Sequence, residues 1–131
     1  MRTVKILVHA VYLSAALGVS ALAVAGSPCS GYEVVSPNGE HVILADNPAL
    51  SSHLATGTCV GDYERGTCTY RDRNGDEWTN AYEKPAGAAT GTSKNVRGTG
   101  KYAKAKGSGR YRDAGWVETI QVFAWSSDDC E

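Results

Sequence analysis

The chain has 131 residues, with 13 Lys and Arg against 14 Asp and Glu and a formal charge of −1 at pH 7. That balance excludes a dedicated polyanion or nucleic-acid binder, and the length suits one domain rather than two. Four cysteines and fifteen glycines direct attention to cross-links and turns.

The first 25 residues read as a signal peptide. Arg2 and Lys5 form a basic start, Ile6 to Val24 is mostly apolar, and Ala23-Val24-Ala25 is a small-x-small cleavage site. The apolar run approaches bilayer-spanning length. His9, Ser14, Gly18 and Ser20, together with the cleavage site, weigh against a retained anchor. Cleavage after Ala25 leaves a single domain, residues 26–131, with eleven basic and fourteen acidic residues and no membrane span. The expected location is the periplasm or the extracellular space.

Cys29, Cys59, Cys68 and Cys130 all lie in this mature part. An even count in a small exported chain reads as two disulfides. No C-x-x-C pair is present to suggest a metal site. Three connectivities are open. Cys29–Cys130 with Cys59–Cys68 is favoured, because it ties the chain ends and crosses one hairpin.

Strand signals recur along the mature chain. Gly31 to Val35 and Glu40 to Ala45 flank Pro37-Asn38-Gly39, a tight-turn sequence. Asp46-Asn47-Pro48 ends the second run, and Ala49 to His53 is ambiguous, with a helical turn one option. Leu54 to Val60 and Thr67 to Arg71 flank a loop from Gly61 to Gly66. Asn74-Gly75 centres a second clear hairpin, whose return strand is Glu77 to Tyr82. Ala89 to Val96 is a weaker strand.

From Lys104 to Arg112, basic or polar residues alternate with Ala, Gly and Tyr. The spacing predicts a curved strand with one basic wet face and one closely approached face, entered through Gly98-Thr99-Gly100. Gly115 to Trp125 then reads as the closing strand.

No mature stretch carries a convincing 3.6-residue apolar period. Strands at roughly ten-residue spacing imply an all-β sandwich or barrel. The glycine-rich curvature favours a small antiparallel up-and-down, calycin-like barrel of seven to eight strands, which leaves no open edge.

Two segments support a family resemblance. One is Gly66-Thr67-Cys68-Thr69-Tyr70-Arg71-Asp72-Arg73-Asn74-Gly75-Asp76-Glu77-Trp78. The other is Gly98-Thr99-Gly100-Lys101-Tyr102-Ala103 with Gly107-Ser108-Gly109-Arg110-Tyr111. Their layout resembles small exported bacterial proteins of unknown function that are similar to allene oxide cyclase, dirigent and lipocalin-like β-barrels. The resemblance spans about 45 residues. It implies a small barrel and carries no agreed activity. Asn74 stands where an acidic residue is usual, and Lys104 and Lys106 where small or neutral ones are.

Candidate chemistry is sparse. Asp72, Asn74, Asp76 and Glu83 mimic calcium-loop spacing, but the glycine falls at position 4 rather than 6, and a solvated hairpin tip accounts for them. His41 and His53 have no visible third partner for metal or acid–base work, which leaves structural or surface roles. No nucleophile signature exists, so no catalytic residue, metal or cofactor is assigned.

Trp78, Tyr82, Tyr102, Tyr111, Trp116 and Trp125 are candidates to wall a ligand cavity, or else to fill the barrel. Lys104, Lys106, Arg110 and Arg112 are candidates to meet an anionic surface or protein, or else to protect an edge. The leading expectation is a non-catalytic module binding a small apolar or amphipathic ligand. The alternatives are an interaction or inhibitor protein acting through Gly61 to Gly66, and a cofactor-free cyclase or isomerase with a perturbed acid such as Glu118 or Tyr102.

Overall fold

The computed structural model describes residues 28–130. The signal-peptide reading lies outside them. Eight antiparallel strands run in chain order: β1 Cys29–Val35, β2 Glu40–Ala45, β3 Ala55–Gly61, β4 Arg65–Arg71, β5 Glu77–Glu83, β6 Thr90–Gly98, β7 Ser108–Val117 and β8 Ile120–Ser127. Each pairs with the next, and β8 pairs with β1, so the sheet closes into an up-and-down barrel. Among the described residues, no helix is long and apolar enough to cross a membrane.

Turn chemistry explains most of the corners. Gly39 (φ 82°) and Gly75 (φ 89°) take the positive φ that their Asn-Gly turns require. The Gly61 to Gly66 loop is shorter than its sequence suggests. Asp62 Oδ1 accepts from the amides of Glu64 (2.8 Å) and Arg65 (2.9 Å), so only residues 62–64 lie outside the ladder. Those two backbone donors hold the Asp62 carboxyl below its usual pKa.

Two sequence expectations are corrected. The stretch entered at Gly98 is not a strand throughout. A 3-10 turn, Gly100–Tyr102, follows β6, and β7 begins only at Ser108, so Lys104 and Lys106 lie in the connection. The cause is tertiary. Tyr102 is buried against Trp78 (centroids 4.7 Å apart), and its hydroxyl donates to Asp72 (3.1 Å). The run from Gly115 to Trp125 is not one strand either. It is the end of β7 and most of β8, joined by a turn at Glu118-Thr119 with Glu118 at φ 54°. Neither turn residue is Gly or Asn, so the usual turn signal is missing.

Both disulfides form, Cys29–Cys130 and Cys59–Cys68. Cys59 and Cys68 face each other across the β3–β4 ladder. Two disulfides point to an oxidising, extracytoplasmic environment. They also matter energetically, because the buried apolar core is thin. It centres on Ile43, Ala55, Cys68 and Tyr70, and no large side chain among the described residues is fully buried. By chain entropy, the long Cys29–Cys130 closure stabilises by about 5 kcal/mol and the short one by about 3 kcal/mol.

Candidate functional site

A cavity of about 290 Å³ occupies the barrel interior. It exists because the interior aromatic rings lie along the wall instead of across the lumen. The register shows how. Directly opposite Tyr70 is Gly57, and opposite Tyr82 is Gly66. Trp78 faces Gly98, Tyr111 faces Gly91 and Trp125 faces Gly31. Each ring thus sits across from a residue with no side chain. A Cβ on Gly91 would lie 2.3 Å from Tyr111 Cζ, one on Gly57 2.5 Å from Tyr70 Cδ1, and one on Gly66 2.4 Å from the Tyr82 hydroxyl. Aromatic residues commonly cover cross-strand glycines in this way, and the glycine is what permits the close approach.

Five of the six aromatic candidates line the cavity: Trp78, Tyr82, Tyr102, Tyr111 and Trp125. Trp116 does not. It is 63 % exposed at the β7–β8 tip, beside exposed Val117 and Ile120. Phe123 joins the wall, edge-on to Tyr111 at 6.0 Å, while Tyr82 meets Tyr111 edge-on at 6.4 Å. Tyr70 stacks on Trp78 at 5.2 Å, and Trp78 carries Tyr102, so three rings form a continuous column.

Polar chemistry inside the barrel centres on Glu33, which the sequence reading did not single out. Its Oε1 accepts from the Tyr70 hydroxyl (2.7 Å) and pairs with His41 Nδ1 (2.6 Å). Glu33 and His41 side chains are 14 % and 16 % exposed. The Tyr70 contact bridges β4 and β1, two strands that are not neighbours. Burial pushes the Tyr70 phenol pKa well above its usual value, and the nearby Glu33 charge adds to the shift. Burial, with Tyr82, Tyr63 and Glu33 contributing in that order, raises Tyr111 to about 12. Burial also raises Tyr82, whose hydroxyl donates to the Asp62 carbonyl (2.7 Å). The one signal that could have found Glu33 is its spacing. Val35 and Glu33 share the inward face of β1, with Gly31 below them.

Four further polar atoms around the cavity are buried and have no hydrogen-bond partner among the described residues: Ser52 Oγ, Asn95 Oδ1, the Tyr111 hydroxyl and Trp125 Nε1. Buried polar groups are normally hydrogen-bonded, so these call for an occupant, whether water or ligand.

The other candidates separate. Arg110 and Arg112 are exposed on the outside of β7, while Lys104 and Lys106 lie beyond its start, so no single strand face unites the four. Asp72 is buried, and its Oδ1 is occupied by the amides of Asn74 (2.8 Å) and Asp76 (3.1 Å) in a hairpin turn. His53 Nδ1 bonds the Ala45 carbonyl at 2.5 Å. His41 lies near Cys59 and Cys68 in a metal-like triangle, but both sulfurs are spent in the disulfide. Tyr102 is buried by the column described above, and Glu118 is exposed in its turn.

No family model, curated protein or solved structure matches the chain. Function is therefore argued from the lumen itself.

Proposed function

We propose that this protein is an exported, non-catalytic binding module that holds a small amphipathic ligand in the barrel lumen. One observation carries the reading. An aromatic-walled cavity of about 290 Å³ is ringed by buried polar atoms, Asn95 Oδ1, Tyr111 hydroxyl and Trp125 Nε1, that no protein group satisfies. Binding sites are typically apolar concavities with a few convergent polar groups. A cavity of this volume suits a small ligand. The motif resemblance to exported bacterial barrel proteins agrees with this architecture and adds no activity. The test is native mass spectrometry of the protein after export into a bacterial periplasm. Bound mass that is lost on activation supports the reading. A bare barrel that also fails to bind millimolar 2-phenylethanol overturns it.

A second reading, a cofactor-free isomerase, draws on Glu33 and His41 sharing a hydrogen bond beside the cavity. Such a site would exchange the α-protons of a small aryl ketone such as phenylacetone. Deuterium uptake seen by NMR, abolished in Glu33→Gln, would favour it; no uptake above the buffer rate would exclude it.

A further inference from the structure

We propose that the lumen selects an organic cation: a compact primary ammonium with an apolar body. This deepens the binding reading above and rests on it.

The first argument is charge. The side chains lining the cavity include the carboxylates of Glu33, Asp62 and Asp129, and His41, but no Lys or Arg. Asp62 is committed to its turn through two backbone amides. Glu33 is the carboxylate on the inward face of β1, mostly buried and placed beside the aromatic wall. Its Oε1 takes both hydrogen bonds, from Tyr70 and His41, while Oε2 has none among the described residues. A charge held out of water favours an opposite charge brought close to it, and a ligand carboxylate there would be repelled.

The second argument is the wall. Faces of Trp and Tyr attract ammonium groups, more strongly where water is excluded. Trp78, Tyr82, Tyr111 and Trp125 all line the same cavity as Glu33. The third argument is the orphan atoms. Asn95 Oδ1 and the Tyr111 oxygen can accept N–H donors, which an amine supplies, while the Trp125 indole N–H is a donor that water rather than the ammonium would satisfy. The ring body of the ligand would replace contacts that the glycine-backed wall leaves open. The lumen, about 290 Å³, admits an aryl-ethyl amine.

The experiment compares three near-isosteric probes by calorimetry at about pH 8, where an aliphatic amine is protonated. They are 2-phenylethylamine, 2-phenylethanol and phenylacetate. The amine is expected to bind roughly tenfold or more tightly than the alcohol, with the acid weakest. In Glu33→Gln the amine should fall to the level of the alcohol, while the alcohol changes little. If that variant does not fold, the order of the three probes on the unaltered protein decides the matter. Alcohol binding without amine preference, or acid binding as tight as amine binding, overturns the cation inference and leaves lumen binding standing. If none of the three binds, both readings fall.

Discussion

Tyr111 lies across Gly91, its directly paired neighbour on β6, so closely that a Cβ there would meet the ring at 2.3 Å. A glycine faces an inward ring in the register at four other places around the barrel, and at Gly57 and Gly66 the paired ring again crowds the glycine, at 2.5 Å and 2.4 Å from where a Cβ would lie. This pairing is the physical reason that a barrel with this many inward aromatics is hollow.

Gly91→Ala should therefore reduce the cavity. The added methyl must push the Tyr111 ring inward or shift β6. Overpacking of this kind costs about 1–3 kcal/mol. The urea midpoint should fall, and binding of 2-phenylethylamine should weaken with it. Gly87→Ala serves as a comparison. It sits at φ 77° with nothing within 4 Å, so it should lower stability without touching the lumen.

Tyr70→Phe removes the hydroxyl that spans the barrel to Glu33. The ring stack on Trp78 is retained, so the loss isolates the hydrogen bond. A hydrogen bond to a charged group contributes about 1.5–3 kcal/mol, and the urea midpoint should drop accordingly. An unchanged midpoint would show that Glu33 is solvated in the lumen.

Alkaline titration should be staggered. Tyr111 titrates at about 12 in the folded protein, against about 10 when unfolded, and Tyr70 is shifted in the same direction. Folding favours the protonated phenol. The associated stability is fully present below about pH 10 and is lost as pH rises through the folded value. Ultraviolet difference spectra should show the Tyr111 and Tyr70 contributions delayed above the ordinary phenol range. The alkaline loss of melting temperature should shrink in Tyr111→Phe.

The two disulfides should differ in their contribution. Ser substitution of Cys29 and Cys130 opens a closure of 101 residues, and that of Cys59 and Cys68 one of 9. The first pair should cost more stability, about 5 kcal/mol against about 3 kcal/mol. Chemical denaturation of the two double variants measures this. Loss of Cys59–Cys68 also changes the cavity wall beside His41, so it should perturb ligand binding more.

Much of the fold was legible because turn residues announce themselves. Asn38-Gly39 and Asn74-Gly75 marked two corners, and β2 falls where the first turn and Pro48 put it. The disulfide pairing was the favoured one of three open connectivities, chosen because sheet closure joins the chain ends and a hairpin joins Cys59 to Cys68. Two features were not legible. Glu118-Thr119 turns the chain without Gly or Asn, so a hairpin reads as one long strand. The Gly98-Thr99-Gly100 turn was read, but its continuation as a 3-10 turn through Tyr102 was not, because Trp78 and Asp72, which hold Tyr102, are distant in sequence. The aromatic candidates were found by type, and all but Trp116 face the lumen. That residue lies at the hairpin tip, where β7 extends past the body of the barrel. Glu33 was missed because a single carboxylate in a β-prone run looks like a solvent-facing residue. Only the arrival of Tyr70 from β4, 37 residues away, makes it part of a site.

The most direct test uses the three indole N–H groups as reporters. In a ¹H–¹⁵N spectrum, titration with 2-phenylethylamine should move the Trp125 indole resonance, whose nitrogen is buried and unpartnered in the lumen. The exposed Trp116 indole should stay in place. Saturable movement of Trp125 with Trp116 fixed is the result this account predicts. Movement of Trp116 alone would place the interaction on the hairpin tip and contradict a ligand-holding lumen.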